Sequence, residues 1–172
     1  EWQPNAAPES AKWGFAVYDQ HGTPTPLAAA LASYHEPLGG NGRYPAANPF
    51  AAYSGVWTFG ELGADIGWVQ DSQLEFRFSG RDIALMVRQG DYEAYLYPTI
   101  DESAANALPT DANGNAFINL KSDELDAQIS VIPISRELAL GEHILRAAAD
   151  RGWDQWALVG YAVSSGNLNA PY

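Results

Sequence analysis

Alternation of apolar and charged residues between residues 71 and 101 sets the fold class of this chain. Apolar and charged residues alternate strictly over 74–78, and two further apolar runs follow at 83–87 and 94–101, each after a short turn signal. Because successive side chains of a strand point to opposite faces, this period predicts a sheet with one face in a core and the other in water. Short strands at this spacing predict an all-β, jelly-roll-like antiparallel β-sandwich.

The same pattern continues to residue 164, and we expect about eight strands between residues 53 and 164. The remaining strand candidates are 55–59, 116–120, 128–134, 143–149 and 156–163. Pro133 cannot donate to a ladder, so its strand should lie at a sheet edge or end there. Residues 62–68 read as a Gly-broken connection.

Residues 1–52 differ from the rest because they hold most of the prolines. Residues 13–18 are a short strand candidate, and 24–34 predict a helix with a tolerated proline near its start. Residues 38–49 are rich in Gly and Pro and predict a linker or long loop. We therefore divide the chain into an N-terminal arm and linker at 1–52, a sandwich domain at 53–164 and a C-terminal tail at 165–172.

Composition limits the partners. Nine Lys and Arg stand against 21 Asp and Glu, a formal charge of −12, which disfavours nucleic acids and anionic membrane surfaces.

The absence of cysteine excludes disulfides, zinc-thiolate sites and thiol catalysis. No apolar run is long enough to span a membrane, and a start at Glu1 indicates a processed product or an excised piece. Six Trp and nine Tyr suit stacking on neutral ligands such as sugars, or equally the filling of a core.

Four short segments carry a family resemblance, in this order: 78–85 (FSGRDIAL), 99–101 (TID), 141–145 (GEHIL) and 157–163 (ALVGYAV). Their order and spacing resemble galactose-binding-like β-sandwiches, which include carbohydrate-binding modules attached to glycoside hydrolases. The resemblance covers residues 53–164. It implies an extracellular module that binds sugar on end loops or on a sheet face, with a structural calcium ion in some members.

The first 35 residues carry a second resemblance. The strand candidate 13–18 and the helix candidate 24–34 are similar to the last strand and helix of a (β/α)₈ glycosidase barrel. Such an enzyme needs two carboxylates near the ends of earlier strands, and those strands are absent here. We therefore expect a chain that is not itself an enzyme and that could belong to a longer glycosidase.

Loop tryptophans are the first candidates for sugar binding, since a flat indole stacks on the apolar face of a sugar while polar neighbours meet its hydroxyls. The segment 150–156 (DRGWDQW) supplies Arg151, Trp153, Asp154 and Trp156. The competing interpretation is a structured hairpin in which one Trp folds back onto the core. Trp68, after a Gly-rich connection, is a further candidate.

Tyr95 and Tyr97 form the second candidate. They share one face of a predicted strand, whereas Leu96 and Ile100 should face the core. An outward tyrosine pair could be a sugar-stacking platform or an interface with a catalytic domain, because exposed aromatic patches also mark protein contacts.

Oxygen-bearing residues at alternate positions, Asp111, Asn113 and Asn115, imitate the start of a calcium loop. A hairpin turn explains the same residues without an ion, and Gly114 does not fit the EF-hand pattern. His143 shares a strand face with Leu145, so a hydrogen-bonded, mostly buried histidine is expected there rather than a catalyst.

Three functions compete on this basis. The first is a non-catalytic carbohydrate-binding accessory module with a polysaccharide or oligosaccharide partner and no cofactor. The second is a structural or assembly protein that docks onto a partner or onto its own copies through outward aromatic residues and the Pro-rich arm. The third is an enzyme fragment completed by other residues or chains.

Overall fold

The computed structural model describes residues 17–18, 21–32, 34, 37–66, 72–123, 128–150 and 155–166. The chain forms two compact units, Glu1–Glu36 and Pro37–Tyr172. In the first, helix α1 spans Pro26–Ala32, which confirms the central part of the predicted helix. Thr25 precedes it and accepts a hydrogen bond from the Ala28 amide at 3.5 Å, a capping position. Most of the predicted strand 13–18 lies outside the described residues.

The second unit is a sandwich of two antiparallel sheets, as the sequence predicts. The strands of the first sheet are β1 (Gly42–Pro45), β3 (Trp57–Gly60), β4 (Gly63–Ile66), β6 (Asp82–Gln89), β10 (Gln128–Ser135) and β12 (Leu158–Ser164). The strands of the second sheet are β2 (Ala51–Ser54), β5 (Gln73–Gly80), β7 (Tyr95–Ile100), β8 (Ser103–Ala104), β9 (Ile118–Asn119) and β11 (Gly141–Ala149). The first sheet has the order β10-β6-β12-β4-β3, with β1 also paired to β12, and the second has the order β2-β5-β11-β7-β8, with β9 also paired to β7.

The core lies between the sheets and follows the alternation of the sequence. Along β5 every second residue is buried, including Phe76 and Phe78, while the charged residues between them remain partly exposed. The Phe76 ring stacks on Tyr161 of β12, with ring centroids 4.1 Å apart and an interplanar angle of 4°. This pair packs the inner faces of the two sheets against each other. The outer face of each sheet is left for other contacts.

Residues 38–49 are not a linker along their whole length, so that prediction is wrong at β1. Strand β1 pairs with β12, and Pro45 stands opposite Gly160. A Cβ atom on Gly160 would lie 2.1 Å from the carbonyl oxygen of Tyr44, so only glycine allows the two backbones to approach this closely. The Pro and Gly residues that resemble loop signals instead allow a short strand to pack closely beside β12.

The Gly-broken connection predicted at 62–68 also contains a strand, β4. Gly63 has a φ of +132°, and a Cβ atom there would lie 2.3 Å from the Leu158 carbonyl oxygen. Glycine therefore permits β4 to join the sheet rather than interrupting it. Since β1 and β2 both lie within the sheets, the sandwich takes in residues that the sequence assigned to the arm.

Strand β10 is the terminal strand of the first sheet, and the pairing with β6 shifts register between Pro133 and Ser135. The edge position inferred from Pro133 is thus confirmed. Within the described ranges, no helix is long and apolar enough to cross a membrane.

Candidate functional site

The tyrosines of β7 point away from the core. Burial alternates along the strand, so that Leu96, Pro98 and Ile100 are buried while Tyr95 and Tyr97 are partly exposed. The Tyr95 ring meets Phe117 edge to face, with centroids 6.2 Å apart. The second sheet therefore carries aromatic side chains on its outer surface, on the face that the sequence assigned to Tyr95 and Tyr97.

Strand register places Tyr97 in a row that crosses the second sheet. Tyr97 stands opposite Ala148 of β11, Ala148 opposite Gln73 of β5, and Gln73 opposite Ser54 of β2. Three inter-strand steps give this row a length of roughly 14 Å. An aromatic residue at one end, a methyl group next to it and two polar residues at the other end share one surface.

A parallel row lies next to the first and is charged. Its members are Ala52 of β2, Glu75 of β5, Arg146 of β11 and Thr99 of β7, paired in that order. Arg146 Nε donates to Glu75 Oε2 at 2.9 Å, and Arg77 Nε donates to Glu75 Oε1 at 3.0 Å. The carboxylate is thus held between two guanidinium groups in the plane of the sheet surface.

The members of these rows on β2 and β5, together with Arg146 of β11, line a shallow depression of about 240 Å³ that includes Ala52, Ser54, Gln73, Glu75 and Arg146. Ala148 and Tyr97 lie outside this depression and continue the row beside it. The Glu75 side chain is 25% exposed and that of Arg146 is 42% exposed. Both therefore keep hydrogen-bonding capacity toward a ligand while pairing with each other.

Four predicted sugar-binding residues, Trp68, Arg151, Trp153 and Asp154, lie outside the described residues. The described residues beside their segments are Ser72, which follows 67–71, and Asp150, which precedes 151–154. The Ala149 amide donates to the Ser72 carbonyl at 3.0 Å, and the Asp150 amide donates to the Tyr95 carbonyl at 3.2 Å. Ser72 and Asp150 thus lie near each other, beside the start of β7.

Trp156 is placed differently from the tyrosines. It precedes β12 of the first sheet, with a φ of +55°, and is partly buried. Its indole lies against Gly60, where an added Cβ would meet ring atoms at 3.0 Å. Trp156 therefore packs against β3 of the first sheet, and its role in sugar binding stays a prediction.

His143 is hydrogen-bonded at both ring nitrogens, as expected of a mostly buried histidine. Nδ1 lies 2.6 Å from Asp101 Oδ2, and Nε2 lies 2.7 Å from the Ala139 carbonyl oxygen. Burial alone would lower the pKa of His143, but these two acceptors outweigh it and raise the pKa above the ordinary value. The ring is best satisfied as an imidazolium ion that donates at both nitrogens, which is a structural role.

The Asp111 carboxylate is satisfied by its own loop. Oδ1 accepts the amides of Asn113 and Asn115 at 2.9 and 2.8 Å, and Oδ2 accepts Asn115 Nδ2 at 3.2 Å. The backbone bond from Asn115 is the largest contribution that lowers the pKa of Asp111. This is the geometry of a side-chain-stabilised turn. In the part of the chain that the structure describes, no group of three or more His, Cys, Asp or Glu is arranged to hold a metal ion.

Two other depressions exist on the described surface. One of about 260 Å³ lies at an end of the sandwich between Arg81 and Arg136. The other, about 400 Å³, lies on the first sheet and is lined by residues that include Ala47, Leu62 and Met86. Like the depression on the second sheet, neither is lined by a residue that the sequence predicted for sugar binding.

Gln73, Glu75 and Arg146 were not among the residues predicted from sequence. Alternation along β5 shows that Gln73 and Glu75 face outward, but it does not show which strands lie beside β5. The meeting of Glu75 with Arg146 depends on pairing between strands 71 residues apart. Only the structure supplies that register.

No protein-family model matches the chain, and no curated protein matches it by sequence. Several solved structures resemble it, among them two esterases. A family two carbohydrate esterase from Cellvibrio japonicus aligns over 76% of this chain and 36% of that chain, with 16% identity and a TM-score of 0.53. A two-domain esterase active on acetylated mannans, co-crystallised with mannopentaose, aligns over 74% of this chain and 37% of that chain, with 12% identity and a TM-score of 0.57.

These neighbours share the sandwich fold with this chain, and the chain spans little more than a third of their length. At this identity the likeness shows the fold, and the carbohydrate context implied by the sequence resemblance stays a prediction. The finer assignments, a galactose-binding-like module and the end of a (β/α)₈ barrel, stay predictions.

Proposed function

We propose that this chain is a non-catalytic carbohydrate-binding module of a longer, extracellular carbohydrate-active protein. The observation that carries the proposal is the outward tyrosine pair, Tyr95 and Tyr97, beside a polar depression on one face of a sandwich. A tyrosine ring offers a flat apolar surface to the C–H face of a sugar, and the neighbouring amide, carboxylate and guanidinium groups complement hydroxyls.

The comparisons support the carbohydrate part of this proposal. The esterases act on or bind glycans according to their descriptions, and one is described as having two domains. A chain that spans about a third of such a protein has the size of one component. We infer that this component binds the glycan and so keeps the longer protein attached to it. Another part of the longer protein carries out the reaction.

The contacts of two ionisable groups support binding rather than catalysis. The Glu75 carboxylate accepts from two arginines, and its remaining lone pairs can accept from sugar hydroxyls. His143 lies outside the two rows and has both ring nitrogens engaged, whereas a general base needs a free lone pair. We therefore expect no turnover of aryl acetates or aryl glycosides by this chain alone.

Affinity electrophoresis tests the proposal. Wild-type protein should migrate more slowly in gels that contain a neutral polysaccharide such as mannan, xylan or cellulose derivatives. The variant Y97A should lose most of that retardation, whereas Y34A should keep it, because Tyr34 is an exposed tyrosine in the other compact unit. Unchanged migration of the wild type in every neutral glycan would contradict the proposal.

A second candidate is an assembly role, favoured by apolar residues exposed around β3. Val56, Phe59 and Leu62 are 53%, 44% and 56% exposed, and exposed apolar clusters mark protein contacts. Light scattering after size-exclusion chromatography distinguishes the two functions. A concentration-dependent dimer that F59S converts to monomer supports assembly, and a monomer at all concentrations opposes it.

A further inference from the structure

We infer that the ligand is an extended, uncharged glycan chain that crosses the strands of the second sheet along the row from Tyr97 to Ser54. This inference rests on the proposed function and adds to it the site, the ligand class and the direction of binding. Its basis is the strand register together with the charge pairing around Glu75.

The shape of the row favours an extended chain. Tyr97, Ala148, Gln73 and Ser54 occupy four neighbouring strands at one level of the sheet, a distance of roughly 14 Å. A single sugar ring would cover only part of this length, whereas an oligosaccharide of several units covers it all. Strand β2 is the terminal strand of the sheet, so a longer polymer can continue past Ser54.

The chemistry along the row suits a pyranose chain. Tyr97 provides the stacking surface at one end, and Ala148 leaves room for the adjoining ring. Gln73 and Ser54 then offer donors and acceptors to hydroxyls. Glu75 lies two residues after Gln73 on β5, and Arg146 lies two residues before Ala148 on β11. The Glu75 carboxylate accepts hydrogen bonds and the Arg146 guanidinium donates them, so the pair can bind two neighbouring hydroxyls of a sugar.

Charge favours an uncharged ligand. Glu75 accepts from both Arg77 and Arg146, and Arg146 Nη1 lies 3.7 Å from Glu102 Oε1. Two positive and two negative groups in contact leave no net charge to attract a uronate or sulfate group. The chain as a whole carries a formal charge of −12, which repels polyanionic glycans.

The sharpest test is a substitution that places a larger side chain in the middle of the row. Ala148 lies on the outer face in the middle of the row, and A148F would place a ring where the glycan passes. The matched control is A47F, which fills the larger depression on the first sheet, since Ala47 is exposed and lines it. Binding of mannopentaose, cellopentaose and xylopentaose to each protein is measured by isothermal titration calorimetry, and circular dichroism confirms that the variants are folded.

We expect A148F to weaken the best pentasaccharide by about tenfold or more and A47F to leave its affinity unchanged. The variant E75Q keeps the size of the side chain and should weaken binding by about threefold to tenfold through altered hydroxyl contacts. Wild-type affinity should rise by about tenfold from the disaccharide to the tetrasaccharide of the same series. Polygalacturonate should not bind even at low salt.

The outcomes separate the inference from the proposed function. If the wild type binds a glycan and A148F binds equally well, the row is not the site, although the module still binds carbohydrate. Loss of binding in A47F alone would move the site to the first sheet and overturn the inference. Equal affinity for disaccharide and tetrasaccharide would overturn the extended-chain part. Failure of the wild type to bind any glycan would overturn both proposals.

Discussion

His143 Nδ1 lies 2.6 Å from Asp101 Oδ2, and this contact ties the beginning of β11 to the turn that follows β7. Asp101 Oδ1 also accepts the Ile144 amide at 2.9 Å. Asp101 and Glu102 both have positive φ values, 49° and 66°, as the two central residues of a tight hairpin turn require. One carboxylate therefore holds a buried imidazole, a strand amide and a hairpin in place.

Stability should depend on pH through this pair. The raised pKa of His143 stabilises the fold fully below the unfolded value of about 6.5, and that stabilisation is lost as pH rises through the higher folded value. Burial opposes the shift of Asp101, but the bonds from His143 and Ile144 lower its pKa. Its contribution is present above about pH 3.9 and is lost as pH falls through the lower folded value. The pair should therefore contribute most between about pH 4 and 6.5.

Urea denaturation of the wild type and D101N across this range checks the sign. Asn tolerates the left-handed backbone of position 101, so the substitution keeps the turn while it removes the charge and one of the two acceptor oxygens. We expect D101N to cost about 1 kcal/mol near pH 6, a value reduced because Asp101 is about half exposed. The variant should also lose less stability than the wild type between about pH 6 and 8.5. Parallel pH profiles would contradict this role, and the other two histidines, present in both proteins, serve as the internal control.

The hydrogen-bonded pair of half-buried Tyr53 and buried Tyr161 predicts an unequal effect of two matched substitutions. Tyr53 Oη donates to the Ala46 carbonyl at 2.5 Å and lies 2.8 Å from Tyr161 Oη. Burial raises the pKa of Tyr53 to about 12, against a smaller lowering by the Tyr161 hydroxyl. Y53F leaves both the Ala46 carbonyl and the Tyr161 hydroxyl without this partner, whereas Y161F leaves the bond from Tyr53 to Ala46 intact.

We expect Y53F to lower the free energy of unfolding by about 2 kcal/mol and Y161F by about 1 kcal/mol. Chemical denaturation of both variants measures the difference. An equal loss, or a larger loss in Y161F, would show that the order of donors inferred here is wrong.

Close approach of β1 and β12 predicts that G160A is strongly destabilising. The added methyl group would meet the Tyr44 carbonyl oxygen at 2.1 Å and Met86 Cε at 2.8 Å, so the backbones must separate. We expect a loss of about 2 to 3 kcal/mol, in the range of overpacked sites.

The matched control is G141A at the start of β11, where an added Cβ meets nothing within 4 Å. We expect its stability within about 0.5 kcal/mol of the wild type. Thermal denaturation of both variants is sufficient. Similar melting temperatures for the two would argue against the tight backbone contact.

The loop at Asp111 predicts a turn that is stabilised without an ion. Because its carboxylate oxygens already accept loop donors, calcium would have to displace those bonds. We expect the same melting temperature in excess calcium and in EDTA, and a lower one for D111A in both. A rise with calcium that is seen in the wild type and lost in D111A would instead assign an ion to this loop.

Local alternation was enough to predict the two-layer architecture, because β5 and β7 each expose one face and bury the other. It was also enough to place Tyr95 and Tyr97 on the outer face. Alternation could not reveal β1 or β4, whose glycines and prolines resemble loop signals until their partner strand is known. The contact of Gly63 with Leu158 joins residues 95 positions apart, and no local pattern encodes it.

The candidate site shows the same limit. Tyr97 could be identified from its strand, but its row depends on the pairing of four strands that are distant in sequence. The interpretation of segment 150–156 as a sugar-binding cluster stays a prediction for Arg151, Trp153 and Asp154. For Trp156, a left-handed backbone and packing on Gly60 could not be inferred from residue type.

Strand β10 has a consequence for the protein at high concentration. In this edge strand, Ile129 and Val131 are 55% and 50% exposed. An exposed apolar edge strand can pair with a strand from a neighbouring molecule. Pro133 has no amide hydrogen, and the register shift after it ends the regular ladder. A second molecule could thus form only a short ladder there, so copies of the protein at high concentration should resist joining into a continuous sheet.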